Sequence, residues 1–145
     1  MARVDFYILS SEGSDEPLRV ACRLAEKAWR QGNRVRVECD SMDALRRLDG
    51  LMWTFRQESF LPHEMEGEHD DWQRLDPPPI VLGTAGACAE APDVLINLSA
   101  AVPAIAERCS RIAEIISADP ESKRTGRDRY RLYRDRGFDL GSHQI

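Results

Sequence analysis

The order of hydrophobic patterns between Val4 and Met52 constrains the fold of this chain more than any other feature of its sequence. Val4 to Leu9 is nearly all apolar and rich in β-formers, as expected of an inner strand covered on both faces. Ser11 to Asp15 reads as a polar loop, and Pro17 suits a first helical turn, where its missing N–H costs nothing. Leu18, Ala21, Leu24, Ala25, Ala28 and Trp29 then recur at helical spacing, and Gly32-Asn33 supplies the stop, which predicts a helix to about Gln31. Arg34 to Cys39 alternates with Val35, Val37 and Cys39 on one face, the period of a strand with one polar side. Ser41 is a good N-cap for a short helix carrying Met42, Leu45, Leu48 and Met52, with Asp43 complementing its dipole. Strand, helix, strand, helix in such short succession favours parallel pairing, hence an α/β fold with a mostly parallel sheet flanked by helices.

Beyond this unit the pattern breaks. Acidic residues crowd Glu64 to Asp71 and Pro77-Pro78-Pro79 follows, which predicts a long acidic surface loop at about 55–79. Ile80 to Gly83 and Val94 to Leu98 have the length and composition of buried strands, with a Gly/Ala-rich turn between them. Pro103 starts a predicted helix in which Ile105, Ala106, Cys109, Ile112, Ala113 and Ile116 share an apolar stripe, ending near Asp119-Pro120. A basic C-terminal helix covers about 121–136; Gly137 stops it, and Phe138 and Leu140 fold back onto the body. Four strands are clear, no internal repeat is visible, and the length of 145 residues fits one domain over 1–145.

Several function classes lack their residues. No apolar run approaches the roughly 18 residues of a membrane span, and Met1 to Phe6 enters a strand without a signal-peptide stretch, so the expectation is a cytoplasmic protein without a membrane partner. Cys22, Cys39, Cys88 and Cys109 are far apart with no C-x-x-C pair and read as buried reduced thiols. Neither G-x-G-x-x-G nor G-x-x-x-x-G-K-[ST] is present, and Gly83-Thr84-Ala85-Gly86-Ala87 reads as a tight turn, so no cofactor is expected. His63, Glu64, Glu66, Glu68, His69, Asp70 and Asp71 are suitable metal ligands by type, but an acidic solvated loop explains the same residues. No Ser or Cys has a local signature of an activated nucleophile, and no catalytic residue is assigned.

Charge separates the molecule into two parts. The net charge of −5 argues against general nucleic-acid binding, yet Glu121 to Arg136 carries +4 and the remainder −9. A cationic site on an acidic body fits a specific anionic partner. On the final helix Arg127, Arg131 and Arg134 are spaced i, i+4, i+7 with Tyr130 beside them, a face suited to carboxylates and an aromatic or aliphatic end; a solvated helix laced with Asp–Arg pairs explains the same residues. The second surface constellation is Trp53 to His63, where Trp53, Phe55 and Phe60 fall at a helix end and into a loop. Such anchors are typical of interfaces, although they also serve to pin a loop to a core.

These blocks resemble the chi subunit family of bacterial DNA polymerase III. Phe6-Tyr7-Ile8-Leu9 resembles the family's opening F-Y-L-L, and Ala28-Trp29-Arg30-Gln31-Gly32-Asn33-Arg34-Val35 resembles its W-R-x-G-x-R-V segment. Leu51 to His63, ending Glu58-Ser59-Phe60-Leu61-Pro62-His63, resembles L-W…E-S-F-x-P-H, Asp93 to Leu98 resembles D-[IV]-L-I-[NS]-L, and Arg127 to Phe138 resembles R-x-R-Y-[KR]-x-Y-R-x-x-G-F. The resemblance implies a Rossmann-like three-layer domain without a nucleotide cofactor. It also implies a non-catalytic accessory subunit that binds the acidic, Phe-ended C-terminal tail of single-stranded-DNA-binding protein, so that contact with nucleic acid is mainly indirect. The positions it assigns to the tail are Arg127, Tyr130 and Arg131, with Ile116 in the apolar floor and Arg134 on the same helix. Trp53, Phe60 and Pro62 match the region where family members receive the psi subunit of the clamp loader or a helicase-like partner. The alternative function is a small nucleotide-binding enzyme or sensor using the C-terminal edge of the sheet.

Overall fold

The computed structural model describes residues 2–13, 15–55, 61–66, 80–84 and 91–145. In chain order the elements are β1 (Arg3–Ile8), α1 (Glu16–Arg30), β2 (Val35–Cys39), α2 (Met42–Thr54), β3 (His63–Met65), β4 (Ile80–Thr84) and β5 (Val94–Asn97). A 3-10 turn (Ala104–Arg108), β6 (Arg111–Ile116), α3 (Pro120–Asp135) and β7 (Asp139–Gln144) complete them. The described strands form one sheet of order β3-β4-β2-β5-β6-β1-β7, every pair parallel. It is the expected α/β architecture, a parallel sheet between two helical layers.

Alternation along the strands divides the core. Val35, Val37 and Cys39 join Leu9, Ala113 and Ile115 under α1 and α2, which contribute Ala21, Cys22, Ala25, Leu45, Leu48 and Met52. Val4, Phe6, Leu95, Ile112 and Ile116 point the other way, against Ile105 and Ala106 of the 3-10 turn and Tyr133 of α3. Ser41 caps α2, its side chain accepting from the Ala44 N–H, and Asp119 caps α3 in the same way from Ser122. Gly32 and Gly137 have φ of 87° and 85°, the left-handed conformation that ends α1 and α3.

Three expectations are corrected. The helix predicted from Pro103 to Asp119 is a 3-10 turn followed by β6; Cys109, with φ −94° and ψ 141°, is already extended. β6 lies between β5 and β1 and is buried from Ile112 to Ile116, so its sequence shows no alternation to mark it as a strand. The polar side of β2 is not solvated: Arg36 and Glu38 are each 2% exposed. Their charges are matched internally, Arg36 Nε donating to Glu38 at 2.9 Å and Nη2 to Glu66 at 3.0 Å. Finally, the acidic loop at about 55–79 contains β3, which pairs with β4 from His63↔Ile80 to Met65↔Leu82.

Cys22, Cys39 and Cys109 are buried free thiols, and burial pushes those of Cys22 and Cys39 up to about 12; Cys88 lies outside the described residues. Ala85, Gly86 and Ala87 lie outside them too. Gly83 belongs to β4, where a Cβ would meet the Arg36 guanidinium and stand 2.7 Å from a Glu66 carboxylate oxygen, so this glycine makes room for the buried ion cluster. No described helix is long and apolar enough to cross a membrane.

Candidate partner-binding groove

α3 crosses back over β6 and β1 to reach β7, and a groove of about 270 Å³ opens along its flank. Phe6 and Ile8 of β1, Ile116 of β6 and Gly126 of α3 line it with apolar atoms; Ser142 and Gln144 of β7 form the opposite wall. The register Phe6↔Ser142 and Ile8↔Gln144 sets that wall beside the floor. Lys123, Arg127 and Tyr130 stand on the helix side, at spacings that place them on one flank of α3. Tyr130 is 39% exposed and its ring centroid lies 5.3 Å from that of Phe6, so it walls the groove while keeping a face open.

The remaining cations of α3 are engaged elsewhere. Arg124 pairs with Glu121, Arg131 lies 3.7 Å from Asp128, Arg134 lies 3.5 Å from Asp135, and Arg136 reaches Glu107 at 3.2 Å. Lys123 and Arg127 make no ion pair among the described residues. The groove therefore combines an apolar floor with two uncompensated cations at its side, which suits a ligand carrying an apolar group next to a carboxylate.

Of the residues singled out from the sequence, the structure brings Arg127, Tyr130 and Ile116 to one groove. Arg131 and Arg134 are exposed on the same helix but do not line it. The contributions of Phe6, Ile8, Lys123, Gly126, Ser142 and Gln144 were not read from the sequence, because they come together only through the pairing of β1 with β7 and the crossing of α3.

Arg129, counted as part of the cationic segment, turns inward. It is 4% exposed, its Nε donates to Glu114 at 2.9 Å, and its Nη1 donates to the Ala100 carbonyl at 3.0 Å. Tyr133 O–H donates to the same carboxylate at 2.6 Å, and Asn97 Nδ2 donates to both its oxygens at 3.1 and 2.9 Å. Burial pushes the Glu114 carboxyl up, while Arg129 and these donors pull it back; burial and then Glu114 push the Tyr133 hydroxyl up. The cluster fixes the inner face of α3 to β6 and so holds the flank bearing Arg127 and Tyr130 in place.

At the other side of the sheet, Trp53 is 50% exposed near the end of α2 and packs on His63, ring centroids 4.5 Å apart. His63 Nδ1 donates to the Leu61 carbonyl at 2.7 Å, and Nε2 lies 3.1 Å from Asp49 Oδ1. Pro62, half-buried, accepts the Ile80 N–H at 2.9 Å, which joins this edge to β4. Phe55 packs against the core, and Phe60 lies outside the described residues.

A second cleft, of about 410 Å³, lies where the connections from β1 and β6 diverge, the place open α/β sheets use for ligands. Ser11, Glu12, Gly13 and Pro17 face Ser117, Ala118, Asp119 and Pro120 across it. Asp119 already accepts the Ser122 N–H at 2.9 Å and its hydroxyl at 2.7 Å, so a carboxylate occupies the α3 N-terminus that a phosphate would need.

Structural comparison gives the fold. The chain is similar to T4 UvsW over 99% of its own length and 41% of that chain, with TM-score 0.70 and 10% identity. It is also similar to the C-terminal domain of the DEAD-box protein Dbp5 over 99% and 91% of the two chains, with TM-score 0.61 and 12% identity. At these identities the likeness shows the Rossmann-like α/β fold alone. Sequence comparison gives the family. The chain is 39% identical to DNA polymerase III subunit chi of Pseudomonas aeruginosa over 145 residues, covering 100% of this chain and 98% of that protein. It is 27% identical to the chi subunit of Escherichia coli over 146 residues, covering 98% and 97%. A family model for the DNA polymerase III chi subunit, HolC, matches residues 1–141, and the chain belongs to that family.

Proposed function

We propose that this chi-family chain is a non-catalytic adaptor of the replicase. In this reading the groove beside α3 captures the acidic, aromatic-ended C-terminal tail of single-stranded-DNA-binding protein. The Trp53 edge, with Pro62 and Phe60, receives the psi subunit of the clamp loader or a helicase-like replication or repair partner in the cytoplasm. The observation that carries the reading is an apolar floor of Phe6, Ile8 and Ile116 beside two cations, Lys123 and Arg127, that no described acidic residue neutralises. A tail with an apolar terminal side chain and a free carboxylate supplies both complements. Arg131 and Arg134, exposed further round the helix in loose pairs with Asp128 and Asp135, add positive potential for the acidic residues that precede the end of the tail. Joining two weak sites in one molecule raises the effective concentration of the polymerase at coated single strands without any bond being made or broken.

The test is a titration of the purified protein with an acidic peptide ending in Ile-Pro-Phe with a free carboxylate, and with the same peptide lacking the Phe, at low and moderate salt. Saturable binding that needs the Phe and weakens as salt rises is the expected result. Equal binding of the two peptides, or none of either, removes the groove from this role.

A further inference from the structure

We propose that Gly126 and Ile116 together set the depth of the groove floor, and through it the size of the terminal side chain the groove accepts; this rests on the tail-binding reading above. Gly126 is buried in the middle of α3, and its φ is not in the left-handed region, unlike those of Gly32 and Gly137. The backbone therefore does not require glycine there, although glycine inside a helix costs about 1 kcal/mol relative to alanine. The reason lies in packing. A Cβ at this position would stand 2.7 Å from Ile116 Cδ1 and 3.3 Å from its Cγ1. The δ-methyl of Ile116 thus fills the space a side chain at position 126 would take, and both residues line the groove.

The consequence of adding a Cβ follows from what surrounds the methyl. Ile116 is 4% exposed and belongs to the buried cluster that includes Phe6, Tyr133 and Ile112, and a close-packed core offers Cδ1 little space to withdraw. The open volume beside it is the groove. An alanine at 126 drives the δ-methyl into that volume, raises the floor and leaves less room for a bulky terminal side chain. Ile116→Val, which has no δ-methyl, lowers the floor again. The two positions are coupled, and the coupling is read in ligand selectivity rather than in folding.

The experiment is a double-mutant cycle of Gly126→Ala, Ile116→Val and the double variant. Each protein is titrated with an acidic peptide ending in Phe and with one ending in Val, and its melting temperature is recorded. The expected result is a Gly126→Ala protein that melts no lower than wild type yet binds the Phe-ended peptide about tenfold more weakly, with a smaller loss for the Val-ended one. The double variant recovers most of the Phe-ended affinity. Gly126→Ala binding at wild-type strength overturns the inference, as does a loss that is equal for both peptides, follows the melting temperature, or persists in the double variant. A wild-type protein that binds neither peptide overturns the tail reading itself, and this inference with it.

Discussion

Arg127 and Arg129 are two residues apart on α3 and meet opposite surroundings. Arg127 lines an open groove with no ion-pair partner among the described residues, whereas Arg129 is buried against a fully enclosed glutamate and spans the gap to the Ala100 carbonyl. One helix thus uses the same side chain for two physical purposes. A guanidinium facing solvent keeps its hydration until a ligand displaces it, while one facing Glu114 holds the helix against the sheet and is unavailable to any partner. Counting cations along a helix thus overstates what its surface offers a ligand: the helix register decides which of them stay accessible.

The largest effect is expected on the buried side. Arg129→Ala leaves the Glu114 carboxylate buried without its cation, and such a loss costs roughly 3–5 kcal/mol. Urea unfolding at neutral pH measures it, and a midpoint close to wild type would mean that Tyr133 and Asn97 suffice for Glu114. Arg127→Ala should do the reverse. Its stability stays within about 0.5 kcal/mol of wild type, as for most surface replacements, while affinity for the Phe-ended peptide falls about tenfold and becomes less sensitive to salt. A folded Arg127→Ala protein with unchanged affinity would erase the contrast between the two arginines.

The smallest effect belongs to the start of α3, remote from both. The backbone N–H of Ser122, and then its hydroxyl, hold the Asp119 carboxyl below its ordinary value of 3.8. A carboxyl depressed in the folded state stabilises above its unfolded pKa, and that contribution disappears as pH falls through the folded value. Asp119→Ala should therefore be slightly less stable than wild type near neutrality, and the gap should close in strong acid. A gap independent of pH would assign the difference to helix propensity instead of the charged cap.

The sequence made the parallel α/β architecture legible because β1, α1, β2 and α2 each carry a pattern set by one covered face. It failed where covering was complete. Between Arg111 and Ile116 both faces of β6 are buried, so its apolar residues merge with Ile105 and Ala106 into what reads as a helical stripe. The β-branched run Ile112, Ile115, Ile116 was the remaining signal. Arg36 and Glu38 misled in the opposite direction, since internal pairing lets charged residues occupy a covered face. β7 escaped notice because Asp139-Leu140-Gly141-Ser142-His143-Gln144 is polar and mostly exposed. At the groove, Arg127, Tyr130 and Ile116 were legible through family resemblance; Lys123 and Gly126 were not, because their roles depend on which flank of α3 the Arg129–Glu114 pair turns outward.

The pairing of β1 with β7, from Arg3↔Asp139 to Ile8↔Gln144, joins the most widely separated strands in the sheet. The groove uses both, its floor from β1 and its far wall from β7. Contacts of such long sequence separation carry a large loop-closure entropy, which is offset only once both ends of the chain are present. During synthesis, a nascent chain that displays Phe6 and Ile8 still has no groove until residues 139–144 have left the ribosome and docked. The groove proposed above as the tail site is therefore incomplete in any chain that stops before Gln144.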